Sequence, residues 1–164
     1  MQKPIKALLL SAGFGTRLRP LTLNTPKCLV KINGQPILQY WLTKLEDIGV
    51  ESILINTHYL AEKVNHFLDT HYHENKKIKK FHEDIILGTA GTLIANSEFF
   101  FNSTGIMIHS DNFTYMKLKD LVEAHQNRPK NCLITMLTFS TNNPKSCGIV
   151  ELDRKGIVQA FHEK

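Results

Sequence analysis

Three short apolar runs, spaced by stretches of helical periodicity, constrain this chain more than any other feature. They are Ile5–Leu10, residues 52–56 and residues 105–110, each closed by polar or small residues. Runs of this length without strict alternation suit strands buried on both faces. After the first run come residues 29–32, which suit a short extended piece, and the turn pair Asn33-Gly34. Pro36 then suits the first position of a helix. Ile37, Leu38, Trp41, Leu42, Leu45 and Ile48 make its apolar face, and Gly49 ends it. Leu60, Val64, Phe67 and Leu68 mark a second amphipathic helix. Residues 79–83 read as a strand, 89–97 as a short helix, Leu118–Gln126 as a helix and 131–139 as a strand. Residues 149–153 and 157–161 read as a hairpin turning at Arg154-Lys155-Gly156.

Strands separated by helices cannot pair as hairpins, so they must run parallel with the helices packed on the faces. The expected fold is α/β, a Rossmann-like three-layer α/β/α sandwich with a mostly parallel mixed sheet. At 164 residues the chain is long enough for one domain with a real core. Ligands of such sheets bind beyond the carboxyl ends of the strands. Three distant segments should meet there: the loop from Ser11, residues 83–91, and Asp111.

Charge narrows what that edge can hold. The formal net charge is +5, from 20 basic and 15 acidic residues, but the distribution is uneven. No Asp or Glu precedes Glu46, while Lys3, Lys6, Arg17, Arg19, Lys27, Lys31 and Lys44 fall in that span. The loop SAGFGTRLRPLTLNTPK, residues 11–27, carries two glycines and two of the four arginines. Glycine lets backbone N–H groups approach an anion closely. Arg17 can fork phosphate oxygens and Lys27 can add a point charge. Chemically this is a polyphosphate cradle, although a basic solvated surface loop has the same composition. It is neither a P-loop, which needs GK[ST], nor a dinucleotide fingerprint, which needs a third Gly and an acid about 20 residues on.

The same stretch resembles the GxGTRLxPxTxxxPK signature of sugar-1-phosphate nucleotidylyltransferases. Gly13, Gly15, Thr16, Arg17, Leu18, Pro20, Thr22, Pro26 and Lys27 all match it. HEDIILGTAGTL at 82–93, HSDNF at 109–113, CGIVELDRKG at 147–156 and FHEK at 161–164 extend the likeness in order along the chain. Such enzymes join an NTP to a sugar 1-phosphate and release pyrophosphate. The resemblance implies the nucleotide-diphospho-sugar transferase version of the fold. It also implies NTP and sugar 1-phosphate as ligands; the ILGTAGTL segment most resembles guanylyltransferases acting on mannose 1-phosphate or a related sugar, with uridylyl- and cytidylyltransferases of similar loops close behind.

The resemblance also implies roles. Ser11, Ala12, Gly13, Gly15, Thr16, Arg17, Glu83 and Gly88 would bind the nucleotide. Arg17, Lys27 and Asp111 would be catalytic, and Asp111 would bind Mg²⁺. Lys27, Gly148, Glu163 and Lys164 would bind the sugar phosphate. Catalytic domains of this family continue past the equivalent of Lys164. The expectation is therefore one nucleotidyltransferase domain over 1–164 that lacks its C-terminal part, including a second acidic Mg²⁺ ligand. The alternative is a non-catalytic or partner-completed nucleotide-binding module. Exposed apolar surface left by the missing strands would favour a homo-oligomer.

Other readings are bland. Cys28, Cys132 and Cys147 are odd in number and lack CxxC spacing, as expected of reduced thiols in a cytoplasmic protein. The apolar core of MQKPIKALLL is too short for a signal peptide, and no stretch is long enough to span a membrane. His71, His73 and His82 lack a completing metal ligand. Lys76, Lys77, Lys79 and Lys80 lack a stacking platform, so no nucleic-acid partner is expected. Tyr40 and Trp41 are read as helix packing. Ser110 has no evident base partner and is not read as a nucleophile.

Overall fold

A computed structural model describes residues 3–163, which fall into two compact units divided between Val122 and Glu123. The first unit holds a four-stranded sheet of β1 (Ile5–Leu10), β4 (Ser52–Thr57), β5 (Ile78–His82) and β6 (Thr104–His109). Its order is β5-β4-β1-β6, and every pairing is parallel. Between β1 and β4 lie a small antiparallel ladder, β2 (Lys31–Ile32) with β3 (Gln35–Pro36), and helix α1 (Ile37–Asp47). Helix α2 (Ala61–Tyr72) joins β4 to β5, and α3 (Gly88–Ala95) joins β5 to β6. Helix α4 (Leu118–Gln126) crosses the division between the units.

Alternation along each strand makes the layers. Ala7, Leu9, Ile53, Ile55, Ile106 and Ile108 point to one face and cluster with α1, α2 and the start of α4. Ile37, Leu38, Trp41, Leu42 and Leu45 are the buried stripe of α1, as the sequence pattern predicts. Leu8 and Leu54 face the other way and are also buried. There α3 and the turn Ser97–Phe100 cover the sheet. Thr92 reaches Asn56, Lys6 Nζ donates to Phe99 O at 2.9 Å, and Phe100 packs over Gly105. The three-layer α/β/α arrangement of the sequence reading is thus observed.

Some expectations need correcting. Pro36 is not the first helical residue. Its φ of −56° and ψ of 139° keep it extended, paired with Lys31, and it precedes α1 as the cap. Residues 29–32 are only partly extended, because Leu29 closes a 3₁₀ turn that begins at Lys27. Residues 131–139 carry no strand. A strand requires a partner's ladder, and among the described residues none pairs with this segment. Leu133, Ile134 and Phe139 are consequently 81%, 77% and 78% exposed.

In the second unit β7 (Ile149–Leu152) and β8 (Val158–His162) form the expected antiparallel hairpin. Asp153 Oδ1 caps its turn by accepting from Lys155 N at 2.8 Å and Ile157 N at 2.9 Å.

The first unit rests on the α1 stripe, so truncation there should be felt globally. Leu45→Ala, at a fully buried position, is expected to cost about 2–5 kcal/mol in urea denaturation. An unchanged midpoint would contradict this placement of the core.

Candidate functional site

The sequence order reverses in space between β1 and β6. The chain builds outward from β1 to β4 and β5, then returns to place β6 on the other side of β1. The crevice beyond the carboxyl ends of these strands is where a ligand enters such a sheet. A pocket lies there, lined from all the segments expected to meet.

The exits of the strands are fastened by buried polar groups. Ser11 N donates to Asn56 Oδ1 at 2.6 Å, tying the exit of β1 to β4. Ser11 Oγ donates to Ser110 Oγ at 2.8 Å, and Ser110 Oγ donates to Leu10 O at 2.7 Å, tying β1 to β6. All of these side chains are buried. These hydrogen bonds tie the exits of β1, β4 and β6 to one another.

The loop beyond Ser11 divides in two. Gly13 lines the pocket, and no protein atom would lie within 4 Å of a Cβ placed on it. Its backbone therefore offers an open approach. Gly15 is closed in. Its φ is +65°, and a Cβ there would fall 2.9 Å from Thr22 Cγ2. Thr22 Oγ1 donates to Gly15 O at 2.7 Å. Tyr59 hydroxyl donates to Thr22 O at 3.1 Å, and Phe14 leans edge-on against His58 with centroids 5.6 Å apart. The loop is thus clamped to the segment that follows β4.

Lys27 and Asp111 line the same pocket. Lys27 opens a 3₁₀ turn, and Asp111 follows β6. Lys27 Nζ and Asp111 Oδ2 form an ion pair, with both side chains about a quarter exposed at 24% and 27%. Partial solvation keeps the net stabilisation of such a pair small, so both charges are available to a ligand.

The third wall is built on Glu83, which is 3% exposed. Its Oε1 accepts from Asn56 Nδ2 at 2.8 Å and from Thr92 Oγ1 at 2.5 Å, and its Oε2 accepts from Leu87 N at 3.1 Å. Burial pushes its pKa up, but the donors Asn56, Thr92 and Leu87 N outweigh that, with His58 adding to them, and hold it below its ordinary value. Glu83 thereby fixes the start of α3, where Gly88, at φ +71°, and Thr89 line the pocket. Cys28 also lines the pocket but is only 1% exposed, and burial pushes its thiol up to about 12. It is an inert core residue.

Of the residues singled out in the sequence, Ser11, Ala12, Gly13, Lys27, Glu83, Gly88 and Asp111 line this one pocket. Gly15, Thr16 and Arg17 lie further along the loop and do not line it. Arg17 is exposed in the turn Thr16–Leu18 and makes no side-chain hydrogen bond or ion pair with the described residues. Gly148 and Glu163 belong to the second unit. There Gly148 packs under Phe161, whose Cζ would lie 2.8 Å from an added Cβ, and Glu163 is exposed just past β8. Lys164 lies outside the described residues. Asn56 and Thr92 went unnoticed in the sequence. The only signal was a polar Asn at the end of an otherwise apolar run.

The class that this strand order and edge pocket define is the Rossmann-like α/β/α sandwich. More narrowly, the chain belongs to the nucleotidyl transferase family, whose sequence model matches residues 6–164. It is 36% identical over 170 residues to the mannose-1-phosphate guanylyltransferase catalytic subunit beta of Drosophila melanogaster, covering 97% of this chain and 43% of that protein. It is 31% identical over 173 residues to the UTP–glucose-1-phosphate uridylyltransferase of Synechocystis, covering 98% and 45%. The chain thus spans less than half the length of these relatives. A Bacillus anthracis crystal structure named as a glucose-1-phosphate thymidylyltransferase superposes with a TM-score of 0.80 at 22% identity, over 97% of this chain and 64% of that one. That likeness shows the nucleotide-diphospho-sugar transferase fold.

Glu83 generates a pH prediction. Its pKa is lowered by folding, so its contribution to stability is full above the unfolded value, about 4.3, and is lost as pH falls through the lower folded value. The melting-midpoint gap between wild type and Glu83→Gln should be wide at pH 7 and close below about pH 4. A gap independent of pH would show that the carboxylate is not held ionised.

Proposed function

We propose that this chain is the nucleotide-binding part of a sugar-1-phosphate nucleotidylyltransferase, with GTP and mannose 1-phosphate as substrates. The observation that carries the reading is convergence: the open glycine loop, Lys27 and Asp111 line one pocket at the switch point of the sheet. The guanylyl and mannose preference rests on the named relative and on the ILGTAGTL segment. The uridylyltransferase relative keeps UTP in the test. The two units belong to one nucleotidyltransferase domain in this reading, supported by a family match that runs across both.

The reaction is attack of a sugar 1-phosphate oxygen on the α-phosphorus of the NTP. A new P–O bond forms as the bond to pyrophosphate breaks. Two polyanions must approach each other, so positioning and positive charge carry the rate. The backbone at Ala12 and Gly13 lies along the phosphates, where Gly13 leaves room. Lys27 neutralises charge between the α-phosphate and the incoming phosphate. Arg17, exposed and without a side-chain partner among the described residues, forks the departing pyrophosphate. Glu83 keeps its carboxylate for Asn56, Thr92 and Leu87 N and acts by shaping the wall around the base.

The donor set suits Mg²⁺ in one respect. Among the described residues no group of three or more potential ligands converges, and Asp111 offers a single carboxylate. Magnesium that arrives with a nucleotide needs only one or two carboxylates, because phosphates and water complete its shell. Held through Asp111, it would supply charge to the phosphate oxygens. Among the described residues no helix is long and apolar enough to cross a membrane.

Two measurements test this reading. Thermal shifts with Mg²⁺ and GTP, UTP, CTP, dTTP or ATP should show one nucleotide, GTP, clear of the rest, because a ligand of the native state raises the midpoint. No shift with any of them would remove the proposal. In the complete protein, Arg17→Ala and Asp111→Asn should each lower pyrophosphate release about a hundredfold or more. Near-wild-type rates for both would overturn the assigned roles, and nucleotide binding without turnover would favour a non-catalytic module.

A further inference from the structure

Asp111 stands at the start of a segment with no ladder of its own. β6 ends at His109 and α4 begins only at Leu118. Carbonyl groups in such a segment need partners from elsewhere. Helix α1 supplies them. Trp41 Nε1 donates to Asn112 O at 2.9 Å, the Tyr40 hydroxyl donates to Thr114 O, and Lys44 Nζ donates to Met116 O at 2.6 Å. Three side chains from little more than one turn thus take alternate carbonyls of residues 112–116. The ring of Tyr40 also lies on Phe113, with centroids 4.6 Å apart, and Lys44 Nζ stands 5.0 Å from the Tyr40 ring.

Apolar packing accounts for the burial of Trp41, which is 3% exposed. It does not account for three polar ends meeting one loop. Helix α1 is fixed to the sheet by its buried stripe, so whatever these donors hold is held rigidly. What lies at the start of the held segment is the carboxylate that faces Lys27.

We propose that Tyr40, Trp41 and Lys44 are positioning residues that hold the Asp111 carboxylate for the divalent cation accompanying the nucleotide. The inference rests on the nucleotidylyltransferase reading above. None of the three touches the pocket; they act through the backbone that follows Asp111. Partners one shell behind a metal ligand characteristically set metal affinity while leaving other contacts intact.

The test uses Tyr40→Phe with Lys44→Met, which removes two donors but keeps the ring and the stem, and Trp41→Phe separately. The nucleotide with the largest thermal shift is titrated calorimetrically across a MgCl₂ series. The Mg²⁺ concentration that gives half-maximal affinity should rise about tenfold in the double variant. In an Asp111→Asn background the same two substitutions should add nothing, because residues that act as a unit are not additive. A lowered melting midpoint with an unchanged Mg²⁺ requirement would overturn the proposal and leave only packing. An equal rise in the Asp111→Asn background would overturn it too. If Trp41→Phe fails to fold, the double variant still decides. Wild-type protein that binds no nucleotide at any Mg²⁺ concentration would remove the underlying reading itself, a result distinct from failure of the latch alone.

Discussion

A carboxylate buried to 3% exposure must be surrounded by donors or it will not remain charged, and at Glu83 that requirement organises the working edge of the sheet. Asn56 meets part of it from the end of β4, and the same Asn56 side chain accepts the amide of Ser11. Thr92 and Leu87 N meet the rest, which sets where α3 begins. One buried anion therefore fixes the exit of β1, the end of β5 and the first turn of α3 relative to each other. These three make one side of the pocket, and Lys27, Ser110 and Asp111 line the rest.

The opposite side of the pocket follows a different rule. Lys27 and Asp111 are only part-buried, so they need no such enclosure and neutralise each other across the opening. The proposed site, for a polyphosphate and a cation, would gain from this contrast. The groups that shape it are dry and fully satisfied, while the groups that would meet the ligand are wet and exchangeable. The acid-free stretch before Glu46 leaves the glycine loop without a competing anion of its own. The clamp of Gly15 against Thr22 keeps that loop in one conformation.

Much of this was legible in the sequence, for physical reasons. Unbroken apolar runs mark core strands, and they gave β1, β4 and β6 to within a residue or so, but β6 is buried on one face only, through Ile106 and Ile108, and leaves Met107 44% exposed on the other. An Asp at the end of the last such run had to land on the carboxyl edge. Ala12, Gly13, Lys27, Glu83 and Gly88, to which the resemblance assigns roles, line the one pocket. What was hidden depended on partners distant in sequence. Asn56 looks like the end of a strand until Ser11 and Glu83 stand beside it. Tyr40 and Trp41 look like packing until their polar ends are followed to residues 112–116. Residues 131–139 have every local property of a strand, yet pair with nothing among the described residues. Periodicity reports which side chains want burial and not whether a ladder is waiting for them.

Helix α1 links the two sides. It follows the basic loop after the short β2–β3 ladder, fills the core with its apolar stripe, and reaches the segment behind Asp111 with its polar ends. The position of the proposed metal ligand is thereby tied to the same core that supports the strands. The most direct measurement is an amide NMR titration of the chain with GTP and Mg²⁺, followed residue by residue. The signals of Ser11, Ala12, Gly13, Gly88 and Asp111 should move together and saturate at one concentration. Perturbations that leave these five unmoved, or that gather instead at residues 76–80, would contradict a nucleotide site at the switch point of the sheet.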